Sequence, residues 1–176
     1  MPLSLAKYWY DLLLPVLRQE RPPVIPQAVI LQEQQVLLVQ RDSPRFWELP
    51  GGSSLPGEAP ETAVVREVRE ETGVQVRVIE LLGWYERTGF RAHRAPVYLC
   101  QPEYGQPLPG DSDVRQVRYF PVQRLPWGLC PWYRSILARD LWSVQPRPLQ
   151  QTQRLGWRTV LHCVGLDLAS RLGVLR

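Results

Sequence analysis

The stretch GGSSLPGEAPETAVVREVREETGV, residues 51–74, decides the fold. It opens with two glycines, which let the backbone turn or approach a ligand closely because no Cβ intrudes. Pro60 suits the first turn of a helix, and Gly73 suits the position just after the last turn. The stretch therefore predicts a glycine loop followed by one helix over residues 61–72.

Three glutamates of this predicted helix stand at positions i, i+3 and i+4 and share one helix face: Glu67, Glu70 and Glu71. Carboxylates at this spacing repel one another weakly. Oxygen ligands suit a hard divalent cation such as Mg²⁺ or Mn²⁺, whose charge would turn the repulsion into binding. The alternative is a solvated acidic face that Arg66 and Arg69 partly neutralise.

The spacing of the whole stretch is more specific than the acidic helix alone. Gly52 is followed after five residues by Glu58, and after seven more by REVREETGV at residues 66–74. This pattern matches the signature box of the Nudix hydrolase family at every defined position. The preceding segments, LLVQR at residues 37–41 and WELPGG at 47–52, are also typical of that family. The chain therefore resembles a Nudix hydrolase over about residues 26–125.

The resemblance implies hydrolysis of a pyrophosphate bond in a nucleoside diphosphate linked to another moiety, with Mg²⁺ or Mn²⁺ as cofactor. Carried over from the family, Glu70 and Glu71 are metal ligands, and Glu67 is a ligand or the general base that activates water. Glu58 lies outside the direct metal ligands and helps to hold them, and Arg66 orients the glutamates by ion pairing. Glu67, Glu70 and Arg66 are thus the predicted catalytic residues.

Further candidates lie in and before the glycine loop. The backbone of Gly52 is predicted to contact the metal and that of Gly51 the substrate, because neither residue carries a blocking side chain. Arg41 ends a predicted strand and either contacts phosphate or is an ordinary surface arginine. Trp47 either stacks on the substrate or belongs to the core.

The general base is open, because in this family it sometimes comes from a loop beyond the box. The candidates for such a base are Glu103, Asp111 and Asp113, each of which can equally be a solvated loop acid. Specificity is expected near residues 84–93, which include Arg87 and His93. No subfamily signature selects one substrate.

Composition limits the class of protein. A chain of 176 residues can form one substantial core, and its net charge of +4 comes almost wholly from arginine, since Lys7 is the only lysine. No dense basic run with interleaved aromatic residues occurs, so nucleic acid is not expected as the main partner.

No apolar run is long enough for a membrane span. Three separated cysteines without a CxxC pair predict reduced, buried thiols and a cytoplasmic protein.

The chain is predicted to have three parts: an N-terminal helix (4–18) with a proline-rich connector at 1–25, a hydrolase domain at 26–142, and a C-terminal extension at 143–176. The extension is expected to be a linker followed by a helix at 159–172. The fold class is α/β, and the resemblance implies an α/β/α sandwich with a mixed, partly antiparallel sheet. Strands are expected at 28–31, 36–40, 96–100 and 114–122, and a helix at 131–142. Residues 74–78 and 81–86 form either a strand pair or one long bent strand.

Two functions remain open for this sequence. The first is the metal-dependent enzyme, which acts on a small-molecule nucleotide. The second is a non-catalytic Nudix-fold module that senses a nucleotide and regulates a partner. The complete set of box acids favours the enzyme, because function is argued from the site rather than from the fold. A homodimer is compatible with either function.

Overall fold

A seven-stranded mixed sheet forms the centre of the protein, for which a computed structural model describes residues 22–89 and 92–174. The predicted N-terminal helix lies outside the described residues. The elements are β1 (Gln27–Gln32), β2 (Gln35–Arg41), β3 (Trp47–Glu48), α1 (Pro60–Thr72), β4 (Gln75–Gly89), β5 (His93–Tyr104), β6 (Val114–Pro121), α2 (Pro131–Ala138), a 3₁₀ helix (Asp140–Trp142), β7 (Leu149–Leu155) and α3 (Trp157–Arg171).

The strands follow the order β3-β2-β1-β5-β4-β7, and β6 pairs with β2. Two pairs of strands are parallel, β1 with β5 and β4 with β7. The pairs β1–β2, β2–β3, β2–β6 and β4–β5 are antiparallel. The mixed, partly antiparallel sheet predicted from the sequence is therefore confirmed.

Helices cover both faces of the sheet. Successive side chains of a strand point to opposite faces, so β1 contributes to two separate apolar layers. Ala28 and Ile30 pack in the layer that holds Val68 of α1. Val29 packs in the layer that holds Ile136 of α2, to which α3 also contributes. This arrangement is the α/β/α sandwich that the resemblance implies.

Helix α1 has the bounds that its sequence signals indicate. Pro60 occupies the first turn, where its missing N–H costs no helical hydrogen bond. Val64 and Val68 are fully buried against the sheet. Gly73 ends the helix in the left-handed conformation, with φ of 70°, and its N–H donates to the carbonyl of Arg69 at 3.0 Å.

The glycine loop lies directly against β1 and α1. Gly51 has φ of 145° and forms a β-bridge with Gln27. A Cβ at Gly51 would collide with the carbonyl of Pro26, and a Cβ at Gly52 would collide with the carboxylate of Glu67. Only glycines allow the loop to approach both neighbours this closely.

Of the two alternatives for residues 74–86, one long bent strand is confirmed, since β4 is a single strand whose register against β5 shifts at three places. Two other predictions about secondary structure need correction. The predicted helix at 131–142 divides into α2 and a 3₁₀ helix, because the backbone of Arg139, with φ −126° and ψ −59°, departs from helical geometry. The predicted linker was wrong at Leu149–Leu155, which forms β7.

Among residues 22–89 and 92–174, no helix is long and apolar enough to cross a bilayer. The three cysteines are buried and free. Burial raises the pKa of the Cys100 thiol to about 12, so this thiol is protonated at neutral pH.

Candidate active site

A cleft of about 320 Å³ opens where the end of β2, the glycine loop and the first turn of α2 meet. Its two ends differ in character. The charged end is lined by Arg41, Glu48, Gly51, Gly52, Ser53 and Asp113. The aromatic end is lined by Ile25, Gln27, Phe46, His93, Trp132 and Tyr133. A charged group and a planar group of one ligand can therefore bind side by side.

Arg41 is the hub of the charged end. Its Nε donates to Glu48 at 2.6 Å, and its Nη2 donates to Glu71 and, at 3.3 Å, to the carbonyl of Gly51. Its Nη1 lies 3.5 Å from the carboxylate of Asp113. Burial lowers the pKa of Arg41, but Glu48 and Glu71 outweigh that effect and raise it. Arg41 is thus a fixed cation beside the glycine loop rather than a solvated surface arginine.

Glu71 is the buried carboxylate of this end, with 1% of its surface exposed. It accepts the N–H of Gly51 at 2.9 Å in addition to its bond from Arg41. Burial raises the pKa of Glu71 to about 7, against the lowering effects of Arg41 and the Gly51 N–H. The pKa of each partner is raised, but for different reasons: that of Glu71 by burial and that of Arg41 by its acidic neighbours.

Arg66 forms a second hub on the exposed side of α1. Its guanidinium binds Glu58 in a bidentate pair at 3.0 and 2.9 Å. Its Nη1 donates to both Glu67 and Glu70, each at 2.9 Å. Its Nη2 also donates to the carbonyl of Ser53 at 3.1 Å, which ties the helix to the loop. The hydrogen bonds from Arg66 lower the pKa of Glu58, so that this carboxylate stays ionised.

The three glutamates predicted to share a metal site divide between the two guanidinium groups. Glu67 and Glu70 bind Arg66, whereas Glu71 turns inward to Arg41. Within the described part of the chain, no three His, Cys, Asp or Glu side chains stand close enough to hold a metal ion together. The helical spacing fixes the face from which the carboxylates leave the backbone, but the arginines fix where each carboxylate ends.

The residues nevertheless suit a hard cation. One oxygen of Glu67 and one of Glu70 converge on a single nitrogen, Nη1 of Arg66, at 2.9 Å each. Glu67 also lies against Gly52, whose backbone adds a possible oxygen ligand. Two carboxylate oxygens that converge on one positive charge are a suitable donor set for Mg²⁺ or Mn²⁺.

The remaining predicted residues separate into those at the cleft and those away from it. Trp47 is 8% exposed, packs edge to face on Phe120 at 4.7 Å and does not line the cleft, which agrees with a core role rather than substrate contact. Of the loop acids, Asp113 lines the cleft, whereas Glu103 pairs with Arg77 at 3.5 Å. Asp111 is exposed and does not line the cleft.

Most residues of the aromatic end were not predicted from the sequence. Gln27 is the first residue of β1 and is only 5% exposed, which its local sequence does not indicate. Trp132 and Tyr133 follow Pro131 at the start of α2, where adjacent aromatic residues were the one available signal. These positions are separated in sequence and meet only because α2 packs on the end of β1.

Arg87 lies behind this aromatic end and is 2% exposed. Its guanidinium carbon lies 5.0 Å from the ring centre of Tyr133 and 5.7 Å from that of Trp132. Its Nη1 is 2.8 Å from Nε2 of His93. Because a guanidinium can only donate, Nε2 of His93 accepts, and the imidazole is neutral with its proton on Nδ1. Burial lowers the pKa of Arg87.

Comparison with known proteins gives a consistent family. The sequence profile of the NUDIX domain matches residues 22–140. A Bacillus subtilis protein, whose name proposes 8-oxo-dGTP diphosphatase activity, is 33% identical over 103 residues, which are 58% of this chain and 68% of that protein. The ADP-ribose pyrophosphatase of Methanocaldococcus jannaschii is 33% identical over 110 residues, which are 60% of this chain and 65% of that protein.

A solved structure supports the same fold. The MutT NUDIX hydrolase of Burkholderia pseudomallei superposes with a TM-score of 0.63 and 29% identity. The superposition covers 68% of this chain and 98% of the Burkholderia chain.

Proposed function

The chain belongs to the Nudix family of pyrophosphohydrolases, and on this premise we propose that it hydrolyses a pyrophosphate bond in a nucleoside diphosphate linked to another moiety. The reaction depends on Mg²⁺ or Mn²⁺. The observation that carries the proposal is the convergence of Glu67 and Glu70 on one nitrogen of Arg66, with Glu67 directly against Gly52, a glycine of the loop that lines the cleft. The relatives named above act on different substrates according to their names, so the proposal stays at the level of the bond.

The cation is held by Glu67, Glu70 and the backbone of Gly52 in this proposal. When bound, it supplies charge neutralisation at the diphosphate and activation of water. Glu71 is the fourth ligand expected from the family, but Arg41 and the Gly51 N–H occupy its oxygens in this structure. It becomes a ligand only where its bond with Arg41 is released.

The side chains of the cleft have separate tasks in the reaction. Arg41 binds a phosphate oxygen and fixes the diphosphate, because its guanidinium is a quarter exposed at the charged end and has a planar fork of donors. Glu67, which lies against Gly52, accepts the proton of the attacking water, and Asp113, which lines the charged end, is the alternative base. Displacement at phosphorus needs positioning and charge stabilisation more than covalent chemistry.

The test is hydrolysis of a panel of nucleotides with and without Mg²⁺: nucleoside triphosphates, ADP-ribose, sugar nucleotides and dinucleoside polyphosphates. We expect at least one to be cleaved only with metal, and Glu70→Gln to lower kcat by about a hundredfold or more. Glu61→Gln is the matched control, because Glu61 is an exposed glutamate in the first turn of the same helix. Tight nucleotide binding without turnover in the parent protein would instead support the sensing module.

A further inference from the structure

The end of the chain, β7 and α3, lies beyond the segment that matches the family profile, yet it holds one wall of the cleft. Asp167 of α3 is 2% exposed, and its Oδ1 accepts the backbone N–H of Arg45 at 2.7 Å. Its Oδ2 accepts from Arg171 at 2.9 Å, and Arg171 donates to the hydroxyl of Ser43 at 3.1 Å. Helix α3 therefore fixes the segment 43–46, three residues of which line the cleft.

Strand β7 holds the opposite wall through Gln153. The amide oxygen of Gln153 accepts from Nε of Arg87 at 2.9 Å. Its amide nitrogen donates to the carbonyl of Trp132 at 3.0 Å. One side chain thus fixes both the buried guanidinium and the first turn of α2, from which Trp132 and Tyr133 line the aromatic end.

The aromatic end has buried polar atoms that make no hydrogen bond of normal geometry. Within residues 22–89 and 92–174 there are five such side-chain atoms, and three of them belong to residues at or behind this end: Oε1 of Gln27, Nη2 of Arg87 and Nε1 of Trp132. Buried polar atoms of this kind are costly unless a ligand or water satisfies them. Phe46 and Trp132 stand edge to face at 6.4 Å and offer apolar surface beside these groups. This combination suits a planar group that carries donors and acceptors.

We propose that β7 and α3, residues 149–171, form the specificity unit of this hydrolase and shape the aromatic end of the cleft to bind the nucleobase of the substrate. Asp167 and Gln153 are positioning residues, since each acts on cleft residues and neither lines the cleft itself. The inference rests on the proposed function, because it names the part of the cleft that takes the moiety attached to the diphosphate. Neither residue bonds the box glutamates, so their loss affects affinity rather than turnover.

The experiment measures the binding of GMP, AMP, UMP and CMP in the absence of metal. Binding is detected through changes in the ¹⁵N indole resonances of the tryptophans. The Trp132 resonance is assigned with Trp132→Phe. We expect at least one nucleotide to shift that resonance. Asp167→Ala weakens the binding of that nucleotide about tenfold, because a charge-assisted hydrogen bond is lost. Asp167→Asn stays within about threefold, because its amide oxygen still accepts the Arg45 N–H. Arg171→Met, a milder change at the same wall, also weakens binding.

Asp140→Ala is the matched control. Asp140 is 3% exposed and accepts from Tyr85 at 3.1 Å, but it does not line or hold the cleft. Its loss leaves nucleotide affinity within about twofold of the parent value, because neither Asp140 nor Tyr85 lines the cleft. With the nucleotide that the hydrolysis panel identifies, Asp167→Ala raises KM and leaves kcat within about threefold.

The proposal is overturned if none of the four nucleotides shifts the Trp132 resonance at millimolar concentration. It is also overturned if Asp140→Ala weakens binding as much as Asp167→Ala, or if Asp167→Ala and Arg171→Met both bind as the parent does. Failure of the proposed hydrolysis is a separate result. That failure would appear as an absence of metal-dependent turnover. The binding measurement is made without metal and does not depend on turnover.

Discussion

Glu71 is a residue whose ionisation depends strongly on its surroundings. It is buried between the glycine loop and Arg41, and burial raises its pKa to about 7. The unfolded chain has the ordinary value of 4.5, so the folded protein binds a proton more tightly at this site. The stabilisation from this group is fully present below pH 4.5 and is lost as pH rises to about 7.

We therefore predict that the free energy of unfolding falls between pH 4.5 and 7 more steeply in the parent protein than in Glu71→Gln. The difference is on the order of 3 kcal/mol over that interval, because each pKa unit corresponds to about 1.4 kcal/mol. Urea titrations at several pH values measure it. Parallel pH profiles for the two proteins would show that Arg41 already holds Glu71 ionised throughout the interval.

The sequence predicts which residues belong to the site better than it predicts which residues they contact. The spacing of Glu67, Glu70 and Glu71 places them on one helix face, and Glu67 and Glu71 contact the glycine loop. Their separation into two networks depends on Arg41, which is 30 residues from Glu71 in the chain. Local periodicity carries no information about a contact of that range, so the inward turn of Glu71 could not be anticipated.

Among the elements, β7 lies against glycines of β4 at both ends of their pairing, Gly83 and Gly89. Gly83 of β4 is paired with Leu149 of β7, and a Cβ at Gly83 would lie 2.8 Å from the Leu149 carbonyl oxygen. A backbone carbonyl cannot move aside as a flexible side chain can, so any larger residue at position 83 pushes β7 away from β4. Because β7 carries Gln153, this displacement also reaches the aromatic end of the cleft.

We expect Gly83→Ala to lower the free energy of unfolding by about 1–3 kcal/mol, the usual cost of overpacking. Gly156→Ala is the control, since a Cβ there meets nothing within 4 Å and the residue also adjoins β7. Urea denaturation of both variants provides the comparison. Equal stability of Gly83→Ala and the parent protein would mean that β7 does not depend on this contact.

Elements with strong local signals were predictable, and β7 was not. The β1–β2 hairpin and α1 have regular apolar patterns and clear end signals, and both lie where the sequence places them. Strand β7, LQQTQRL, buries only its two terminal leucines, and its glutamines have no preference for a strand. Its structure comes from seven paired residues along β4. The pairing is a tertiary contact that the local sequence does not encode.

The whole molecule brings two different chemistries to one cleft. The segment that matches the family profile supplies the glycine loop, the acidic helix and both arginine hubs. The segment after it supplies the side chains that hold the aromatic end. The boundary at residue 142 thus separates parts that share one core, since Leu155, Cys163 and Leu166 pack with α2.

The central claim is that Glu67 and Glu70 hold the divalent cation on which hydrolysis depends. Electron paramagnetic resonance of Mn²⁺, recorded with turnover on the same samples, tests it most directly. The account predicts that the parent protein and Glu61→Gln bind Mn²⁺ and hydrolyse the nucleotide found in the panel, whereas Glu70→Gln loses both properties together. A Glu70→Gln protein that binds Mn²⁺ and turns over as the parent does would contradict the account.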